Sequence, residues 1–391
     1  MIIEYLGMRE RNGLCCVEAA VTWEDSPRLS QRISYATHLG HAELVVDSVE
    51  PFLVAALVPA FWAGEKRILV ESPVCAQLTD NLLDFIYLQQ HCFYAPRPAM
   101  RIEAPPAGQR GGQPRPVGSL FSGGVDSLFT LHTNHARHGP GDARRIGYGL
   151  WHSRQDWFSI DAPELLAPLE AKARRVLPFV EATGITLVHV MSNASALWQG
   201  KNDFFWAEKW HGAGFAAAGH FLGNGMGSLM IPSSEIALAH HRWGSTPLTD
   251  GLLSSQAFQV RHVDARHSRL DKLAMLAHWP LAMCAMKVCF NTPAERLNCG
   301  SCEKCLRTRL GLMCLGLADG ASAFPPGPVE PAMFAARGTK DENLLPFYAA
   351  LPDRLAALGY DALAVAVQGF YDRSRQMVDT GVMSWPVYWD Y

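Results

Sequence analysis

Two short stretches of the chain gather residues whose types and spacing suit chemistry. The first is Ser122-Gly123-Gly124-Val125-Asp126-Ser127, placed after the apolar residues Val117, Leu120 and Phe121 and before a run with helical periodicity. A strand that hands over to a helix through adjacent glycines presents a nest of backbone N–H groups at the positive end of the helix, where a polyphosphate binds. Ser122 and Ser127 would add hydroxyl donors, and Gly123 and Gly124 let phosphate oxygens reach the backbone. Asp126 would hold Mg²⁺ or orient the loop. An ordinary Gly-Gly turn with a Ser or Asp N-cap is the plainer alternative, but it leaves the joint placement of two serines, two glycines and an aspartate unexplained. The other phosphate motif, G-x-x-x-x-G-K-[ST], is absent: Gly200-Lys201 runs into Asn202 and lacks the upstream glycine.

The second stretch is Cys289-x9-Cys299-x2-Cys302-x2-Cys305. Thiols separated by two residues turn toward one ion, and the more distant Cys289 completes a tetrahedron, so these four residues are expected to hold Zn²⁺. Four thiolates close the coordination sphere, which makes the ion a staple of the fold and not an activator of water. Gly300 suits the tight knuckle. An iron–sulfur cluster is the rival, but the Cys-Pro that follows such clusters is missing and Cys314 lies further on in a helical run. Cys15, Cys16, Cys75, Cys92, Cys284 and Cys314 sit in apolar contexts and are expected to be buried core thiols.

The elements that must position these residues follow from periodicity. With 391 residues and 49% hydrophobic content, the chain exceeds one ordinary domain. Residues 1–104 read as a small N-terminal α/β domain, with strands at Cys15–Trp23, Ala42–Val46, Arg67–Glu71 and Met100–Ile102 and helices at Pro51–Trp62 and Cys75–Cys92. A Pro/Gly-rich linker occupies 105–116. From 117 to 316 strands and helices alternate: the loop and its helix, a strand at Ile146–Trp151, a helix over 163–183, a strand at Ile185–Met191, a helix at Trp206–Leu222 and a strand at Gly227–Ile231. Such alternation predicts a parallel, Rossmann-like sheet with ligands at the C-terminal ends of its strands, where Trp151-His152-Ser153-Arg154, Ser192-Asn193 and Pro232-Ser233-Ser234-Glu235 would project. Residues 317–391 form a helical extension with a helix at Ala362–Met377; the aromatic end, 385–391, is expected to pack on the body.

Composition narrows the partners. A net charge of −3 gives no global basic field, so nucleic acid is open but not favoured, the local clusters such as Arg144-Arg145 being equally well solvated faces. The N-terminus lacks a signal-peptide pattern and no apolar run is long enough to span a bilayer, which with ten cysteines predicts a cytoplasmic protein without a membrane partner. Adjacent His240-His241 face opposite sides of a strand and do not suggest a second metal, nor do His262 and His267.

The loop SGGVDS resembles that of the N-type ATP pyrophosphatases, or PP-loop enzymes. These break ATP between the α and β phosphates, hold the pyrophosphate in the loop and pass AMP to an acid or carbonyl oxygen. With the late cysteine pattern added, residues Val117 to Met313 resemble QueC-like enzymes, the 7-cyano-7-deazaguanine synthases. The resemblance implies an adenine-nucleotide α-hydrolase-like domain bearing the four-cysteine zinc site, with ATP and Mg²⁺ as further cofactors. It implies adenylation of a small-molecule or peptide carboxylate, then transfer to ammonia or an amine to give an amide, nitrile or conjugate. Ser122, Gly123, Gly124, Val125, Asp126 and Ser127 would bind the nucleotide, and Asp126, Lys272 and Arg269, with Lys209 as a further candidate, would meet the developing charge. The chain also carries an N-terminal domain, a C-terminal extension and the polar-aromatic stretch 240–250, which likens it to the enlarged QueC-like proteins of bacterial gene clusters, some of them in anti-phage defence.

Ile2 stands where an asparagine-synthetase-type amidotransferase needs its nucleophilic cysteine, so the ammonia or amine comes from solution or a partner. No cysteine lies between Cys92 and Cys284, which disfavours tRNA thiolation unless the fold brings Cys284 or Cys314 close, and a tRNA-modifying PP-loop enzyme stays open as an alternative. A non-catalytic ATP-sensing zinc ribbon that grips protein or nucleic acid is the alternative of another class, and Arg307 and Arg309 after Cys305 would serve either reading; a homodimer stays open.

Overall fold

The computed structural model describes residues 1–108, 115–154, 166–198, 205–234, 243–289, 296–317 and 321–380. Ten strands form one mostly parallel α/β sheet in the order β10-β9-β6-β7-β8-β3-β2-β1-β4-β5. The first five are β1 (Ile2–Arg11), β2 (Leu14–Thr22), β3 (Gln31–His38), β4 (Arg67–Val70) and β5 (Arg101–Glu103). The second five are β6 (Val117–Leu120), β7 (Ile146–Arg154), β8 (Thr186–Ser192), β9 (Ser228–Pro232) and β10 (Gln259–Val263). The strands of the N-terminal 104 residues join those of the later part through an antiparallel pairing of Tyr35 with Ser192 and Ala36 with Met191. The described ends of the linker are pinned: Ala107 N–H donates to the Val74 carbonyl at 2.7 Å, and the Arg115 guanidinium donates to the carbonyls of Gly223 and Ala257.

Helices cover both faces. On one lie α1 (Glu50–Ala63) and α2 (Ala76–Phe93), with α6 (His211–Phe221). Every residue of α1 from Pro51 to Phe61 is buried, as expected of a helix apolar all round. The small residues Gly212, Ala213, Ala216, Ala217 and Gly219 of α6 let it approach closely. The opposite face carries α3 (Val125–Arg137), α4 (Leu166–Ala173), α5 (Leu177–Thr183), α7 (Arg269–Leu276) and α8 (Pro280–Ala285), around Phe121, Leu128, Phe129, Phe179 and Leu273. Then α9 (Glu303–Cys314) leads into α10 (Leu345–Ala349), α11 (Pro352–Ala357) and α12 (Asp361–Thr380), which enclose a core of Phe334, Tyr348, Leu351 and Phe370 against Leu306 and Leu310 of α9. Among the described residues no helix is long and apolar enough to cross a membrane.

Several expectations change. Residues 42–46 are not a strand: a 3₁₀ turn spans Leu39–Leu44, and Val46 N–H donates to the Phe221 carbonyl, so this apolar run docks against α6. The helix expected from Trp206 begins as a π turn, Trp206–Trp210, before α6. Over 166–183 a 3₁₀ turn at Arg174–Val176 and Pro178 at the start of α5 divide the helix. Cys92 and Cys284 are exposed, not core thiols. Residues 109–114, Glu235, His240-His241 and the aromatic end lie outside the described residues.

Candidate active site

The sheet's chain order fixes where a ligand belongs. From β6 the chain moves outward to β7 and β8, then returns to β9 on the other side of β6 and goes on to β10. All of these neighbours are parallel, so the C-terminal ends of β6 and β9 border the crevice of a topological switch point. Residues Phe121–Gly124 leave β6 at that crevice, and Ser233 leaves β9 there.

Gly123 has φ +73°, and a Cβ built on it would lie 2.8 Å from Val176 Cγ1. Gly124 is the N-cap of α3. Ser122 Oγ accepts the Gly124 N–H at 3.3 Å, and Ser127 Oγ donates to the Gly124 carbonyl at 3.1 Å while accepting the Ser122 N–H at 3.3 Å. The two hydroxyls therefore hold the turn, with Ser122 exposed and Ser127 buried. Val125 is buried in the core and offers the crevice only its backbone. Gly123→Ala is expected to cost about 1–2 kcal/mol for the left-handed backbone alone, with the Val176 contact added. Urea unfolding of Gly123→Ala and of Gly123→Ala/Val176→Ala checks this: the second change should recover the steric part and leave the backbone part.

Asp126, in the first turn of α3, meets cations from α7. Lys272 Nζ donates to its Oδ1 at 3.0 Å and Arg269 Nη1 to its Oδ2 at 3.4 Å. Lys272 is fully buried and also donates to the Ser233 carbonyl, so one ammonium bridges the loop of β6 and the end of β9. Burial works to raise the Asp126 carboxyl, but Lys272 and Arg269 outweigh it and hold the group below its usual value. A capping box starts α7: Ser268 Oγ accepts the Asp271 N–H, and Asp271 Oδ2 accepts the Ser268 N–H at 2.9 Å. Arg269 reaches on to Thr308 Oγ1 of α9 at 3.2 Å.

Helix α9 brings two further basic residues, Lys304 and Arg307, toward Asp126. Lys304 is pushed down to about 7, by burial first and then by Arg307, with Arg269 a smaller contributor. Arg307 pairs with Glu303 at 3.1 Å, and Glu303 accepts the Tyr348 hydroxyl at 3.0 Å. The crevice floor thus carries Lys272, Arg269 and Arg307, with Asp126 and Glu303 as counter-charges.

The four cysteines converge. Their sulfurs all lie within 4.8 Å of one another, with Cys299–Cys305 at 3.7 Å and Cys289–Cys302 at 3.8 Å. Metal–sulfur bonds of about 2.3 Å in a tetrahedron put sulfurs about 3.8 Å apart, so the group is positioned to bind a metal ion. Gly300 has φ +81°, and a Cβ there would come within 3.1 Å of Pro325. Cys302 N–H donates to Cys299 Sγ at 3.2 Å. The Cys302 thiol is held below its usual range, chiefly by the Cys305 thiol. Asn298, 2% exposed, organises the entry: its Oδ1 accepts Val288 N–H and Cys289 N–H, and its Nδ2 donates to the Met286 and Ala323 carbonyls. Two residues before Cys289, Lys287 N–H donates to the Gly123 carbonyl at 2.8 Å. The cysteine site is therefore wired to the glycine loop by backbone.

Other expected residues stand elsewhere. Lys209 lies over the rings of Trp62 and Tyr94, at 4.8 and 4.5 Å, against helices of the N-terminal part. Asn193 clamps β8 to β3 by accepting Ser34 N–H and donating to the Arg32 carbonyl. Ser153 is buried against His189, Oγ to Nε2 2.7 Å. Burial, with His38 and His152 nearby, pushes His189 down to about 3. An imidazole lowered in the fold stays neutral there and takes a proton on unfolding. Its contribution is complete above the unfolded value of about 6.5 and falls on acidification toward the folded one, at roughly 1.4 kcal/mol per pH unit. Urea unfolding at pH 7 and pH 5 should show a smaller acid loss for His189→Gln than for the wild type.

A scan against protein-family models finds no match, and searches of curated proteins and of solved structures return none.

Proposed function

We propose that this chain is an ATP-dependent ligase or synthase of the QueC-like PP-loop kind, which adenylates a substrate carboxylate, releases pyrophosphate, and transfers the acyl group to ammonia or an amine with loss of AMP. The observation that carries the reading is the Lys272 ammonium, bonded both to Asp126 behind the glycine loop and to the Ser233 carbonyl at the switch-point crevice. A buried cation facing an N–H nest is a site for polyphosphate charge, and the SGGVDS sequence is the type seen in PP-loop enzymes.

In this reading the backbone of Gly123, Gly124 and Val125 with the hydroxyls of Ser122 and Ser127 holds the β and γ phosphates. Lys272 and Arg269, oriented by Asp126, neutralise charge that builds as the carboxylate attacks the α phosphate. Asp126 is the carboxylate that would hold Mg²⁺ brought in with ATP. The four thiolates fit Zn²⁺, in a closed site that keeps residues 287–289 and α9 in place.

The test is mass-resolved product analysis with ATP, Mg²⁺, ammonium and a panel of acids including 7-carboxy-7-deazaguanine. AMP and pyrophosphate are expected, dependent on one of the acids, with Asp126→Ala lowered by roughly 10²-fold or more. ADP and phosphate, or no turnover with any acid, would point to the sensing module instead.

A further inference from the structure

A second buried pair of titratable groups stands at the same edge of the sheet. Asp250 is fully buried; its Oδ2 lies 2.6 Å from Ser245 Oγ and 2.8 Å from His262 Nδ1, and its Oδ1 accepts Thr246 N–H at 3.1 Å. A carboxylate cannot donate, so Nδ1 carries the hydrogen, and in the neutral ring Nε2 is then the acceptor. The His262 side chain is 6% exposed, and its buried Nε2 has no hydrogen-bond partner among the described residues. Buried imidazole nitrogens are ordinarily satisfied, so an aligned acceptor left open needs a reason.

Its place supplies one. His262 is the penultimate residue of β10, opposite Ile231 of β9, and the next carbonyl, of Val263, accepts Ser233 N–H at 2.9 Å. Ser233 in turn accepts from Lys272. His262 leaves the sheet on the face of Ile231 and Val260, which α6 helps to cover, whereas Lys272 and Asp126 approach from helices of the other face. The first turn of α6 sits on the pair: a Cβ on Gly212 would come within 3.0 Å of Asp250 Oδ1. At this end of the sheet the cations thus stand on one face and the imidazole held by Asp250 on the other.

We propose that His262, held by Asp250, is the proton acceptor for the amine in the second half-reaction; this rests on the adenylating reading above. The amine nitrogen attacks the acyl carbon, forming the C–N bond. The bond from that carbon to the phosphate oxygen breaks, and AMP leaves with the electron pair. One N–H proton passes to His262 Nε2, and Asp250 stabilises the imidazolium. If the pair merely anchors the 244–250 loop, both half-reactions should fall together, or neither should.

The experiment separates the halves in the full-length, metal-loaded protein, using 7-carboxy-7-deazaguanine or the panel acid that supports AMP release. ATP–pyrophosphate exchange reads adenylation; product formation with ammonium and with hydroxylamine reads transfer. In His262→Gln, exchange and the thermal midpoint should hold while transfer to ammonium drops by roughly 10²-fold or more. Hydroxylamine, a stronger nucleophile that depends less on proton removal, should recover most of the loss. Asp250→Asn should repeat the pattern, and His262→Gln alone carries the test if Asp250→Asn does not fold. Transfer to ammonium close to wild type, a matching fall in exchange, or no selective recovery by hydroxylamine would overturn the assignment. Absence of exchange in the wild type would instead overturn the adenylating reading, and the base with it.

Discussion

Replacing Lys272 by methionine is expected to reduce ATP-dependent AMP release by roughly 10²–10³-fold and to destabilise the fold as well. Lys272 is wholly buried and is shared by Asp126 and the Ser233 carbonyl. Methionine keeps most of the volume but removes the charge. Breaking a buried pair from one side costs about 3–5 kcal/mol; here Arg269 remains 3.4 Å from Asp126, whose side chain is 24% exposed, so the lower end applies. The double variant Asp126→Asn/Lys272→Met tells structure from chemistry, because it removes the stranded charge without restoring the cation. Urea unfolding should show stability partly recovered, while AMP release stays as low as in Lys272→Met. Recovery of both would mean that Lys272 serves only to neutralise Asp126.

The two chemical motifs were legible because each is local in the chain. Gly123 and Gly124 lie beside the residues they shape, and Cys299, Cys302 and Cys305 occupy one turn and the helix it starts. What surrounds them is not local. Lys272 is separated from Asp126 by 146 positions and Arg269 by 143, so only the resemblance of the segment before the cysteines favoured them over Lys209, which packs on Trp62, and no local pattern showed that they meet Asp126. Lys304 lies between Cys302 and Cys305 and Arg307 just after them, so their spacing ties them to the cysteines and not to the distant loop, and Asn298 gives no signal beyond its neighbourhood. The Asp250–His262 pair could be found only once β10 was placed beside β9.

Strands show the same division. Those with compact apolar runs, such as Leu14–Thr22 and Thr186–Ser192, lay close to where periodicity put them. β1 passed unnoticed because its last four residues are exposed, and β3 because it opens on Gln31 and Arg32. β10 was hidden by Arg261 and His262. Residues 42–46 carried the opposite error: a short apolar run has no period that distinguishes a strand from a turn docked on a helix. The pairing of β3 with β8 depends on the tertiary approach of two strands that lie far apart in the chain, Tyr35 meeting Ser192, and no local pattern encodes it.

On the proposed reading, leaving the four-cysteine site without its metal should weaken nucleotide binding before it unfolds the chain. Metal analysis is expected to find one zinc per chain, and Cys289→Ser to lose it, whereas Cys284→Ser and Cys314→Ser, outside the four-thiol group, should keep it. A colourless protein fits zinc, while visible charge-transfer absorption would mark an iron–sulfur cluster. Structural zinc contributes about 10–16 kcal/mol in small zinc-finger peptides; here α9 also packs on Leu270 and on the C-terminal helices, so only part of that should be lost. The local consequence is larger. Cys289 anchors the segment whose Lys287 N–H holds the Gly123 carbonyl, and Cys305 fixes α9, which carries Lys304, Arg307 and the Thr308 partner of Arg269. Without the ion the loop loses that latch and the crevice loses the register of its cations. In Cys289→Ser held well below its thermal midpoint, nucleotide affinity and AMP release should therefore fall together while the far-ultraviolet circular dichroism stays close to that of the wild type. Unchanged nucleotide affinity in a zinc-free, folded protein would show that the cysteine site holds up the C-terminal helices and leaves the glycine loop to its own two serines.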